Sequence, residues 1–403
     1  MAKIIKNKSP FYPGQPVPVE FFAGRAVQIE RILTRGVGQV AAGKPIAMFI
    51  QGEYGIGKSS IAGYVQRIAE TRNSLHGIHA PLGGAKDLTD VAKSVLEATL
   101  RSGAFDPKRS EKVRNWLAKY IGKQELFGIT LNAEAFRQDA PSLATPFGML
   151  GFLSEAREHL REAGVKGIFL VLDEINGITK NPQFSHFIKG LVDANALSPE
   201  PLPLLLMLCG VEERRREMIQ MHEPVDRIFD VIEIDAMNPE EMEQFFERAF
   251  TSVNMQVEPD AMQTLIEYST GFPKIMHLIG DAAYWMDKDG ILDMGDAMKA
   301  VLLAADEVGK KYVDQQVYKA LRSKDYHSIL AKIATGKFFF SMSFIKADIA
   351  TDLTEPEKKK FNNFLQKMKT LKVLRAGEIQ GEYIFNSRMV LLYIWLENLR
   401  KPQ

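Results

Sequence analysis

The sequence predicts an α/β fold: a parallel β-sheet with helices on both faces, followed by a helical domain and a C-terminal domain of three helices and a β-hairpin. Three observations lead there. From residue 46 to about 236, short apolar runs alternate with segments of helical periodicity, the pattern of strands buried on both faces and joined by crossover helices. After Asn238-Pro239-Glu240-Glu241, a helix start with acidic first-turn residues, the text is helical to about Ser323. The remainder changes character again. The 403 residues therefore divide into an α/β core with its N-terminal segment (1–236), a helical lid (237–312) and a terminal domain (313–403), each long enough to bury a core.

The strands are read at 46 to 50, more weakly near Ile78 to Pro81, at 168 to 172, at 204 to 208, and at Val231 to Ile234. Residues 105 to 148 break the alternation: Phe127-Gly128-Ile129-Thr130-Leu131 and the polar stretch to Pro146 read as an insertion built of a hairpin and loop. In the lid, Ser269-Thr270-Gly271-Phe272-Pro273-Lys274 ends one helix and starts the next, and Ile275 to Met286 carries apolar residues at helical spacing. The terminal domain reads as a helix (Tyr326 to Thr335), a Phe-rich stretch, a short helix (Phe344 to Leu353), a helix (Pro356 to Leu371), and two strands (Val373 to Arg375, Tyr383 to Phe385) around Gly377 and Gly381. That is a winged-helix pattern. Asn386 to Asn398 then packs the chain end back onto it.

A formal net charge of +1 means that any nucleic-acid surface has to be a local patch. Cys209 is the single cysteine, which excludes intrachain disulfides and cysteine-rich metal sites and fits a reducing cytoplasm. The start, Met1 to Lys6, lacks the long apolar segment of a signal peptide. The most apolar stretch, Leu202 to Val211, falls short of the ~20 residues a membrane span needs, so no membrane association is expected.

Gly52-Glu53-Tyr54-Gly55-Ile56-Gly57-Lys58-Ser59 carries every fixed position of a phosphate-binding P-loop (Walker A), between the apolar run Ile46 to Ile50 and a helical segment opening at Ser60. A triphosphate needs several backbone N–H groups converging on it, and glycine lets a chain wrap that tightly without Cβ clashes. Lys58 would reach the β- and γ-phosphates, the Ser59 hydroxyl would bind the Mg²⁺ that bridges them, and the positive end of the helix dipole adds to the attraction. The expected cofactors are ATP and Mg²⁺.

Ile168 to Leu172 followed by Asp173-Glu174 reads as a Walker B strand. Asp173 then holds the metal, and Glu174 orients and polarises the water that attacks the γ-phosphate. Paired carboxylates at a strand end also serve as plain helix caps, the alternative use of the same residues.

Upstream, Phe21-Phe22-Ala23-Gly24-Arg25-Ala26-Val27-Gln28-Ile29 is similar to the F-x-G-R-x-x-x-I/L segment that precedes the P-loop in AAA+ ATPases of the Orc1/Cdc6-like and STAND groups. With Asp173-Glu174, the Gly271-Phe272-Pro273 step and the terminal winged helix, the resemblance covers nearly the whole chain outside 105 to 148. It implies the ASCE type of AAA+ core and places Phe22, Gly24 and Arg25 on the adenine side of the site. It also implies that Pro273 and Lys274 stand at the sensor 2 position, although Lys274 lacks the usual arginine's fork. The strand expected to end in a polar sensor 1 residue ends Met207-Leu208-Cys209-Gly210 instead. Arg227, near the start of the fifth strand, is the implied arginine finger acting on a neighbouring subunit; a surface arginine paired with Asp226 or Asp230 is the alternative. Arg214-Arg215-Arg216 is a rival, otherwise read as a solvated helix face.

Between Pro356 and Arg375, seven basic residues face one acidic residue, a local net of +6 in a nearly neutral chain. Lys358, Lys359, Lys360, Lys367 and Arg375 are the candidate nucleic-acid contacts, to backbone rather than bases because the helix itself holds no arginine. Phe361, Phe364, Leu365, Met368 and Leu371 would face the core.

Two functions fit. One is an AAA+ ATPase that hydrolyses Mg·ATP slowly as a monomer, forms a nucleotide-dependent homo-oligomer and associates with DNA, as initiator and transposition-regulator ATPases do. The other is a STAND-like signalling switch controlled by a protein partner, which the Gly-x-Pro step and the missing polar sensor favour. A metabolic kinase is disfavoured by the helical lid and winged helix.

Overall fold

The computed structural model describes all residues except 1–5, 7, 15–21, 104–105, 122–142, 335–341, 378, 387 and 401–403, and only the backbone of 121, 311–312, 315–316, 388–389 and 399–400. The chain forms two compact units, Pro16–Asp235, and Ala236–Gln403 together with Met1–Gln15.

The first unit is built on five parallel strands, β1 (Ile46–Gly52), β2 (Leu75–Pro81), β3 (Gly167–Asp173), β4 (Leu204–Gly210) and β5 (Phe229–Ile234), in the order β2-β3-β4-β1-β5. Every residue of β3 and β4 is buried, so side chains on both faces are covered, which is why these strands read as unbroken apolar runs. β2 begins three residues before the point where it becomes legible. Its start carries His76 and Gly77, which interrupt the apolar run, yet His76 is buried with Nε2 2.8 Å from Ser102 Oγ.

Part of the stretch read as an insertion is regular structure. Pro107–Ile121 is a helix whose Val113, Trp116 and Leu117 are buried, the Trp116 ring lying 5.2 Å from Phe152. Its apolar stripe is narrow and its other face strongly charged, which hid it from a reading based on apolar runs. A second helix, Pro146–Leu160, starts at Thr145, whose hydroxyl accepts from the Gly148 N–H at 3.2 Å. The hairpin expected at Phe127 to Leu131 lies outside the described residues.

In the second unit, the helices Pro239–Thr251, Pro259–Ser269, Pro273–Met286 and Met294–Val308 pack together, the last continuing as Gly309–Tyr318. The Asn238 start carries a capping box: Asn238 Oδ1 accepts from the Glu241 N–H at 2.9 Å, and the Glu241 carboxylate accepts from the Asn238 N–H at 3.1 Å. The segment is not wholly helical, because β6 (Gln256–Val257) and β7 (Ile291–Leu292) pair in parallel. Gly271 has φ +78°, and a Cβ there would lie 2.4 Å from the Met237 carbonyl oxygen. Gly271→Ala therefore meets both an unfavourable backbone region and a backbone clash, and is expected to lower stability by about 2 kcal/mol or more in denaturant unfolding.

The start of the chain belongs to this unit. Phe11 is buried with its ring 5.0 Å from Phe250, over Gly280, and the Tyr12 N–H donates to His277 Nδ1 at 3.1 Å. Burial pushes the His277 pKa down to about 4. The unfolded chain binds a proton near pH 6.5 that the folded one refuses until about pH 4, so stability falls as pH drops through that window. His277→Leu is expected to flatten the change in unfolding free energy between about pH 7 and about pH 4.5, measured with urea.

The terminal segment runs helix Lys324–Ala334, β8 (Ser343–Ile345), helix Lys346–Ala350, helix Glu355–Thr370, β9 (Leu374–Ala376), β10 (Glu382–Phe385) and helix Arg388–Arg400. β10 lies between β8 and β9, antiparallel to both. The short helix expected from Phe344 thus starts two residues later, because Phe344 pairs with Tyr383 across the strands, their rings stacked at 5.7 Å. The Phe-rich stretch before it is mostly outside the described residues. Phe361, Phe364, Leu365 and Met368 are buried as their spacing requires, and Leu371 is partly so.

Candidate functional site

The loop after β1 turns at Gly55 (φ +83°) and Gly57 (φ +101°), conformations that side chains other than glycine seldom adopt, and delivers Lys58 as the first residue of the helix Lys58–Arg72. Tyr54 is exposed at the loop's outside, while Ile56 is buried beneath it. Lys58 Nζ donates to the carbonyls of Gly52 (3.0 Å) and Glu53 (2.8 Å), so the ammonium is held over the loop. Burial lowers the Lys58 pKa, against the attraction of the Asp173, Glu53 and Glu174 carboxylates.

β3 ends at Asp173, which is 6% exposed and hydrogen-bonded on both carboxylate oxygens: Oδ1 accepts from the Glu174 N–H at 2.8 Å, and Oδ2 accepts from His79 Nε2 at 3.1 Å. The Ser59 hydroxyl stands beside the same carboxylate. Burial pushes Asp173 up, but the bonds from His79, Ser59 and Glu174 outweigh it and hold the carboxyl below its ordinary range. Ser59 and Asp173, read from separate motifs as magnesium ligands, are thus brought together. Two hard oxygen donors on one side, with the rest of an octahedron left to water and phosphate, is a donor set that suits Mg²⁺.

Glu174 adopts φ +56°, and its carboxylate occupies the space where a side chain on Gly83 would stand, with Oε2 2.6 Å from that Cβ position. Ser60 follows Ser59 in the helix. Phe22 stacks on Tyr64 of the same helix at 4.7 Å, and the buried Arg25, at φ +65°, has Nη2 3.5 Å from the Ile56 carbonyl. The upstream segment therefore lies against the P-loop. Cys209 at the end of β4 is fully buried, and burial pushes its thiol well up. Pro273 and Lys274 open a helix of the other unit, with Lys274 exposed.

The arginines sort by partner. Arg214 pairs with Glu213 and Glu217, Arg215 with Asp226 and with Gln51 Oε1 (3.1 Å), and Arg216 with Glu212. Arg214 and Arg215 are therefore largely covered rather than a solvated face. Asp230 is taken by Arg31 and Arg35. With Asp226 and Asp230 both engaged elsewhere, Arg227 is exposed and makes no ion pair among the described residues.

On the helix Glu355–Thr370, Lys358 pairs with Glu355 and Lys360 with Asp325, while Lys359 and Lys367 of the helix and Arg375 of β9 are exposed without an ion pair among the described residues. Lys360, Asn363 and Lys367 also line a groove of about 660 Å³ whose other wall is Lys319, Arg322 and Tyr326. Neither Lys319 nor Arg322 stands in the basic run of the sequence. His79 and Gly83 likewise escaped the reading, because both meet residues distant in the sequence, Asp173 and Glu174, rather than lying along a motif.

No protein-family model and no curated protein matches the sequence. Solved structures do. The Orc2 protein of Aeropyrum pernix, in complexes with ADPNP and ADP, is 13% identical with a TM-score of 0.59, over 97% of this chain and 96% of that one. A Walker-type ATPase of Pyrococcus abyssi is 17% identical with a TM-score of 0.54, over 93% of this chain and 96% of that one. With its sheet order, its P-loop between β1 and the following helix, and Asp173-Glu174 at the end of β3, the chain has the fold of an Orc1/Cdc6-like AAA+ ATPase.

Proposed function

We propose that this protein binds and hydrolyses Mg·ATP, slowly as a monomer, and uses nucleotide as an oligomerisation switch on DNA. The observation that carries the reading is the meeting of Ser59 with Asp173 beside Lys58, three residues that phosphate and metal chemistry need at one point. Bound magnesium would neutralise charge developing on the phosphates. Lys58 would exchange its two loop carbonyls for phosphate oxygens, Glu174 would hold the attacking water, and Arg227 would complete a neighbour's site. Phe22 and Arg25 would wall the base side.

The terminal segment, read as a winged helix, would meet the DNA backbone. Lys359, Lys367 and Arg375 are better placed for it than Lys358 and Lys360, whose charges are already paired, and Lys319 and Arg322 extend the same phosphate-attracting surface. Changing Lys359, Lys367 and Arg375 to Glu is expected to weaken duplex binding and to reduce its salt slope by roughly one for each phosphate no longer neutralised. An unchanged slope would remove DNA from the proposal.

The second reading, a nucleotide-holding switch released by a protein partner, draws on Cys209, an apolar thiol where catalysis would favour a polar side chain. Light scattering separates the two. Growth in mass with a slowly hydrolysed ATP analogue and duplex DNA, but not with ADP, supports the assembling ATPase; a monomer under every condition supports the switch.

A further inference from the structure

We propose that His79 is the residue that positions Asp173 for its metal, an assignment that rests on the Mg·ATP reading above. β2 and β3 run in parallel with His79 opposite Val171 and Pro81 opposite Asp173. Side chains two apart on a strand share a face, so His79 lies on the same face as Val171 and Asp173 and reaches one pleat forward to the carboxylate. The residue directly opposite, Pro81, has neither a side-chain donor nor an N–H. His79 fills that gap with a bond of 3.1 Å from Nε2 to Oδ2. A carboxylate only accepts, so Nε2 carries the proton.

The consequence is geometric. One Asp173 oxygen is tied by its own chain through the Glu174 N–H and the other by His79; without His79 the remaining side-chain donor beside the carboxylate would be the Ser59 hydroxyl, a group that has to turn toward the metal itself. His79 keeps the carboxylate plane fixed while Ser59 exchanges partners. A donor behind a ligating carboxylate orients it, and removing such a partner typically costs about 10–100-fold in metal affinity. The chain just after the same strand serves the second carboxylate, since the glycine at 83 leaves Glu174 Oε2 where it stands, 2.6 Å from the position a Cβ would take.

The test is binding of a fluorescent ADP analogue to the full chain, titrated with Mg²⁺ and, separately, measured in EDTA. His79→Leu is expected to raise the Mg²⁺ concentration for half-effect roughly tenfold while leaving the EDTA affinity unchanged, which also reports an intact P-loop. His79→Gln, whose amide reaches about as far as Nε2, should restore most of the loss. An unchanged Mg²⁺ requirement in His79→Leu overturns the assignment, as does an equal loss of affinity in EDTA, which would mark a merely structural role. A wild-type protein whose nucleotide affinity ignores Mg²⁺ overturns the Mg·ATP reading and this assignment with it.

Discussion

Lys58→Ala is expected to abolish nucleotide binding while leaving the protein folded. The ammonium makes two hydrogen bonds to loop carbonyls, and Gly52 and Glu53 are open enough for water to replace them, so the change in unfolding free energy should stay within about 1 kcal/mol. Burial that lowers its pKa means the loop carries an under-solvated charge, which bound phosphates would stabilise. Two charge-assisted bonds to phosphate, at ~1.5 kcal/mol or more each, put the loss of affinity at roughly a hundredfold or more. Calorimetric titration with ADP, beside a urea unfolding curve, checks both halves. Retained affinity would remove the P-loop from the function, and lost folding would mean that Lys58 serves the structure first.

Arg227→Ala should lower turnover of the assembled protein on the order of 10³-fold, with nucleotide affinity and monomer turnover unchanged, because trans arginines act on transition-state charge. Such a role requires an arginine uncommitted in its own subunit. Its two obvious partners are occupied, Asp226 by Arg215 and Asp230 by Arg31 and Arg35. Mixing Arg227→Ala with Lys58→Ala subunits gives a sharper test: the first keeps a binding loop, the second keeps the finger, and together they should recover activity that neither has alone. A mixture that stays inactive would rule out action across the interface.

Arg215 bridges the P-loop strand and the turn that carries Arg227. Its Nε reaches Gln51, one residue before the P-loop, and its guanidinium pairs with Asp226, one residue before Arg227. In the sequence the three arginines at 214 to 216 look like interchangeable surface charge. Arg214 and Arg216 pair along their own helix, whereas Arg215 is singled out by the turn at Glu223–Ile228 folding back on the helix Glu212–Met221, two segments that carry no shared pattern.

The sequence by itself determined the elements whose signals are local. β1, β3 and β4 are buried on both faces and so read as apolar runs; the glycines at 52, 55 and 57 announce a tightly curled loop; Asn238 followed by Pro239, Glu240 and Glu241 announces a helix start. The tertiary structure decided what depends on register and on distant partners. His79 reaches Asp173 across 94 positions because β2 lies beside β3 with a particular offset, and Arg31 meets Asp230 across 199. Trp116 supports the core from a helix whose charged face concealed its stripe, and Lys319 and Arg322 join Lys367 only when the helices close a groove. A motif records what a stretch of chain does to its own backbone, whereas a side chain's partner is set by how strands and helices pack, and that packing is spread over the whole fold.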